Sequence, residues 1–138
     1  MERPVTSPHR VVNPAGLAPP RGYSHAVVAE GGRTVHLAGQ VAQDEQGRIR
    51  GDSLAEQFDT AAGNVIRALT AAGGAAEHIV SMTVYVTDTA AYREARPALR
   101  DVWRSHFGEH YPAMAVIGIV SLVDPAALVE IVAVAVIP

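Results

Sequence analysis

Cysteine is absent from this sequence, and so is lysine. Without cysteine there is no disulfide, thiolate nucleophile, iron–sulfur cluster or Cys-type zinc site, and the absence fits a reducing compartment. Without lysine no protein Schiff base forms, which excludes covalent pyridoxal phosphate chemistry. Charge is scarce as well. Charged residues make up 18% of the chain, the net charge is −3, and all 11 basic residues are arginines, so no basic field is available to track a phosphate backbone. Aromatic residues, at 5%, offer few platforms for stacking bases. Long apolar runs are missing too: the longest, Ala113 to Val123, is too short to span a bilayer as a helix. The segment Met1 to Pro20 lacks the apolar stretch of a signal peptide, although it carries Arg3 and Arg10. The expectation is a soluble, cytoplasmic protein that engages neither nucleic acid nor a membrane.

What remains is apolar and compact in length. The 138 residues suit one domain, with hydrophobic residues at 49%. Residues 1–20 hold Pro4, Pro8, Pro14, Pro19 and Pro20, which forbid a helix, so they read as an arm. Residues 21–138 read as the single domain. Two β-rich runs, 23–30 and 33–41, are separated by Gly31-Gly32, the signature of a hairpin. A short strand is expected at 48–50.

Ser53 with Glu56 matches a capping box, and Leu54, Phe58, Ala62, Val65, Leu69 and Ala72 recur at helical spacing until Gly73-Gly74 stops the run. A strand follows at 79–86. A second helix is expected over 92–107, its regular part beginning near Arg96 because Pro97 is tolerated best in a first turn. Two more strands follow, 113–120 and 128–137. The order is β-β-α-β-α-β-β, an α+β fold in which two helices cover one face of a sheet.

The other face of such a sheet should be polar in a monomer. Here the run Ile131-Val132-Ala133-Val134-Ala135-Val136 is apolar on both faces, and so is 113–120. Either another chain covers that face or the proline-rich arm does; self-association is the stronger expectation. Glu130 is the only charged residue between Pro125 and Pro138. Such a carboxylate either reaches water or a backbone donor at the strand end, or is held at a pocket between subunits.

No P-loop, strand-borne GxGxxG or GxSxG elbow is present. His106 and His110 lie four apart but across Gly108, too few ligands for zinc. No metal and no organic cofactor is expected. His25, close to Tyr23 in sequence, has the unperturbed acidity of a general base, with a structural role as the alternative.

Several short pieces in order carry a resemblance: Gly22-Tyr23-Ser24, Leu37-Ala38-Gly39-Gln40, Gly51-Asp52, Glu56-Gln57, Asn64, Ala71-Ala72-Gly73, Pro112-Ala113 and Val129-Glu130-Ile131. From Asn13 onward the sequence resembles the RidA/YjgF family, also known as L-PSP endoribonucleases. The resemblance implies a chorismate-mutase-like mixed sheet and a homotrimer with small-molecule clefts between subunits. It implies cofactor-free hydrolysis of imines and enamines to keto acids and ammonia.

By resemblance Glu130 is the catalytic acid beside the attacking water. Tyr23 is the cleft tyrosine, and Gly39 offers a backbone N–H to the substrate. Ala38 stands where deaminating members often have serine. Met114 stands where they have the arginine of a Pro-Ala-Arg motif, and a thioether cannot replace a guanidinium that pairs with a carboxylate. The usual 2-iminoacids are therefore not the expected substrate. Arg96 aligns with a family asparagine near the cleft and is a candidate anion contact; alternatively it belongs to a solvated strip with Arg93, Arg100 and Arg104. The expected function is a deaminase-type hydrolase of reactive metabolites. A non-catalytic metabolite-binding trimer is the alternative, and a ribonuclease the least fitting.

Overall fold

The apolar stripe that starts after Ser53 does form a helix, α1, Leu54–Ala71. In a computed structural model that describes residues 7–138, Ser53 Oγ accepts from Glu56 N–H at 3.1 Å and caps it. Arg3 and Pro4 of the arm lie outside the described residues. The stripe buries Leu54, Phe58, Ala62, Val65 and Leu69, while Ala72 is exposed past the helix end. Gln57 is buried with it at 2% exposure, because its side chain is fully used. Its Nε2 donates to Gly51 and Ala126 carbonyls, and its Oε1 accepts from Leu128 N–H at 2.8 Å. One amide thus ties the turn before α1 to the last strand.

The second helix, α2, Thr89–Phe107, begins earlier than Pro97 suggested. Asp88 provides the reason: its carboxylate accepts from Ala91 N–H at 3.0 Å and caps a first turn well ahead of the proline. Pro97 sits on the exposed side of α2, where the carbonyl it leaves unbonded can meet water. The helices are linked by His106 Nε2 and Asp59 Oδ1 at 2.6 Å.

Two sheets form. The strands are β1 (Arg10–Val12), β2 (Ala26–Val28), β3 (Arg33–His36), β4 (Ile79–Val86), β5 (Ala113–Gly118) and β6 (Val129–Ile137). The main sheet runs β3-β6-β4-β5, mixed because β4 and β5 are parallel and the other pairs antiparallel. From β2 onward the order is the expected β-β-α-β-α-β-β, with β1 added by the arm. Only a bridge between Gln43 and Ile49 represents the strand expected at 48–50.

The expected hairpin is corrected. Gly31 and Gly32 do have positive φ, but β2 pairs with β1 and β3 pairs with β6. The arm competes for β2 because His9, buried at 5% exposure, holds it. Its Nδ1 accepts from Glu30 N–H at 3.0 Å, and its Nε2 donates to the Val136 carbonyl at 2.7 Å.

Both helices pack on one face, over Met82, Val84 and Val86 of β4 and Val129, Ile131, Ala133 and Ala135 of β6. In register with these, Met114, Val116 and Gly118 of β5 also face the helix side. Gly118 marks that side directly, since a Cβ there would run into Thr89 of α2. The opposite, open face carries Thr83 and Tyr85, Ala115 and Ile117, and Glu130, Val132 and Val134. Apart from Glu130 these strand residues bear no charge, and Ile117 is 43% exposed. No helix among the described residues is long and apolar enough to cross a membrane.

Candidate functional site

The sequence-derived site residues fall into two groups on opposite sides of the main sheet. Glu130, Gly39 and Ala38 form the first. Glu130 is half-buried on the open face of β6, opposite Tyr85 of β4. The backbone that faces it is irregular. His36 of β3 lies opposite Val134, and unbroken pairing would then put Gly39 opposite Ile131; Gln40 is there instead. One extra residue is accommodated in 37–39, a β-bulge. Leu37 and Gln40 N–H groups still reach β6, at 3.1 and 2.8 Å from the carbonyls of Ala133 and Ile131. The Ala38 and Gly39 N–H groups between them have no partner among the described residues.

The bulge brings Gly39 against the Glu130 carboxylate so closely that a Cβ at residue 39 would overlap it, with Cδ only 2.9 Å away. The Gly39 backbone and the Glu130 carboxylate therefore share a patch of the open face. Such a patch can hold a water and accept its proton.

Tyr23, Met114 and Arg96 form the second group, in a cleft of about 610 Å³ between α2 and the edge strand β5. Tyr23 is carried there by its neighbour: Ser24 N–H donates to the Pro112 carbonyl at 3.0 Å and bridges to Ala113, so the 22–24 segment lies along the start of β5. Trp103 makes the inner wall, 8% exposed, with its Nε1–H donating to the His110 carbonyl at 3.1 Å. Tyr111 stacks on it, ring centroids 5.9 Å apart and 9° from parallel.

Arg96 is exposed, like Arg93, Arg100 and Arg104 on the same helix, and it also borders the cleft. Its Cζ is 5.9 Å from the centre of the Tyr92 ring, and both residues line the cleft. Burial pushes the Tyr92 hydroxyl up from its ordinary value of 10.0, with the Arg96 charge partly opposing, so the group stays an O–H donor at neutral pH. Arg100, one turn further along α2, and Arg21 line the cleft too, and sequence reading singled out neither as a candidate site residue. The spacing of Tyr92, Arg96, Leu99, Arg100 and Trp103 on one helical face was the available signal.

His25 is absent from the cleft lining; its Nε2 donates to the Ala18 carbonyl at 2.6 Å and its ring meets Tyr23 edge-on. His110 Nε2 donates to the Ile79 carbonyl and His106 bonds Asp59, so the two share no ligand geometry.

The sequence model of the family described as Endoribonuclease L-PSP matches residues 14–137. The chain belongs to this family, the RidA/YjgF family. A Rid-family protein of unknown function from Yersinia pestis is 32% identical, with a TM-score of 0.84 over 94% of this chain and 98% of that one. RidA from the Antarctic bacterium Psychrobacter is 28% identical, with a TM-score of 0.67 over 91% of this chain and 94% of that one. A Mycobacterium tuberculosis member of the YjgF family is also 28% identical, with a TM-score of 0.64 over 94% and 99% of the two chains. No curated protein matches the sequence. Within the RidA/YjgF fold, then, this chain carries Met114, Arg96 and Arg100 on the cleft side of the sheet and Glu130 on the other.

Proposed function

We propose that this RidA-like chain assembles into a homotrimer with small-molecule clefts between subunits and hydrolyses imine- or enamine-type metabolites there, in the cytoplasm. One observation carries the reading: the two groups of site residues lie on opposite faces of one sheet, so neither is complete within a chain. A neighbouring copy would supply the missing half while covering the apolar open face.

The chemistry follows from the groups. Glu130 takes a proton from a water held at the bulge, and the water oxygen bonds to the imine carbon as the C=N electrons move to nitrogen. The nitrogen is protonated, and the carbinolamine expels ammonia as the carbonyl forms. Imine plus water thus yields carbonyl plus ammonia, with no oxidant or metal consumed. Met114, in the place of the family arginine, directs the site away from the usual 2-iminoacids.

A coupled assay tests this, with flavin-dependent amine oxidases generating short-lived imines that lack a 2-carboxylate from neutral and ω-carboxylated aliphatic and aromatic amines. The wild-type protein should speed carbonyl release, and Glu130→Gln should slow that catalysis by on the order of 10²-fold or more, the usual range for a lost acid–base group. If wild type accelerates none of these imines, the protein is a metabolite-binding trimer and the hydrolase reading fails.

A further inference from the structure

We infer that the cleft between α2 and β5 anchors an anion with an aromatic or bulky apolar body, and that Arg96 and Arg100, with Arg21 beside them, replace the missing strand arginine as its anchor. The inference rests on this cleft being the ligand site proposed above, and it names the ligand class and the residues that choose it.

Charge comes first. Among the described residues three guanidinium groups line the cleft, and no Asp or Glu does. Among the described residues two arginines pair with acids, Arg50 with Asp44 at 2.7 Å and Arg104 with Glu109 at 3.4 Å. Arg21, Arg96 and Arg100 enter no ion pair among the described residues. An anion is the counterpart that this cluster lacks, and a guanidinium's planar fork suits carboxylate or phosphate oxygens.

Geometry comes second. Arg96 and Arg100 are one helical turn apart, so both forks can address one anionic group. Beneath them lie Trp103, Tyr111 and Met114, an apolar floor with no acidic side chain. Met114 is half-buried there. An arginine at 114 would hold the anion at the strand; with methionine there, the anionic end belongs at the helix and the apolar body over the thioether and the rings. A cleft of about 610 Å³ suits a small molecule of this kind.

Trp103 is the only tryptophan in the sequence and stands in the cleft wall, so its fluorescence reports occupancy directly. The probes are 3-phenylpropionate, its neutral amide, propionate, and single-stranded hexauridylate. Full-length wild type should bind 3-phenylpropionate saturably, the neutral amide at least about tenfold more weakly, the scale of one charge-assisted hydrogen bond, and propionate more weakly as well because it lacks the apolar ring. Arg96→Ala and Arg100→Ala should each weaken 3-phenylpropionate by a similar factor. Arg93→Ala, on the same helix but outside the cleft, should bind like wild type.

Equal affinity for acid and amide, unchanged binding in both arginine variants, or no binding of the acid overturns the inference. Tighter binding of hexauridylate than of the acid overturns it in favour of a nucleic-acid ligand. Arginine-dependent binding without imine hydrolysis sinks only the hydrolase reading. Hydrolysis that survives both arginine substitutions sinks only this inference.

Discussion

Gly39 and Glu130 divide one small space between them. The Gly39 backbone has no positive φ, so alanine is conformationally acceptable there. What the new Cβ would meet is the flexible end of Glu130, not backbone. Gly39→Ala should therefore leave stability unchanged or raise it by about 0.4–1 kcal/mol through the unfolded chain, while swinging the carboxylate out of place. Hydrolysis should fall toward the level of Glu130→Gln at an unchanged melting temperature; a variant as active as wild type would mean that the carboxylate's position does not matter. Gly32 makes the contrast, because its φ is +96° and a Cβ there would strike the Ile137 carbonyl. At this scale the sequence was partly legible. Glu130 stood out as a lone charge in an apolar strand, but its contact with Gly39 depends on a one-residue bulge that no local pattern announces.

His110 works between elements, in the connection from α2 to β5. Its ring reaches back to the Ile79 carbonyl at the start of β4 at 2.8 Å, and its own carbonyl receives the Trp103 indole N–H. Burial holds its pKa below the ordinary 6.5, outweighing the opposing effects of the Ile79 hydrogen bond and nearby Glu77. A histidine with a depressed folded-state pKa leaves the unfolded chain holding more protons just below pH 6.5. Its contribution is thus complete above pH 6.5 and drains away as pH falls toward the folded value. Urea midpoints measured from pH 7.5 down to 5.5 should decline, and His110→Asn should flatten that decline; an equal slope in the variant would assign it to other groups. Elements built from local periodicity, such as α1, were readable in advance. The 23–41 hairpin was not, because β2 and β3 find partners that are distant in sequence: β1 through His9, and β6. The start of α2 was obscured by Pro97, whose cost at an exposed position is smaller than the gain from the Asp88 cap and the buried Leu99, Trp103 and Phe107.

For the whole molecule the decisive fact is which face of the sheet each residue occupies. The sequence supplied Tyr23, Met114, Arg96, Gly39 and Glu130 as one set, and only strand register divides them, since a single residue's shift exchanges faces. Apolar residues on both sides of β5 and β6 gave the expectation of self-association; they did not reveal that the candidate site residues are divided between the two faces. The division has a genetic corollary. A chain with Glu130→Gln keeps its cleft half intact, and a chain with Arg96→Ala keeps its acid half. Each alone would be impaired on the proposed reading. Unfolded together in equal amounts and reassembled, they should form mixed oligomers in which about a quarter of the interfaces pair an intact cleft with an intact acid. Two impaired proteins would thus recover activity by complementation, whereas a site contained within one chain would gain nothing in any mixture.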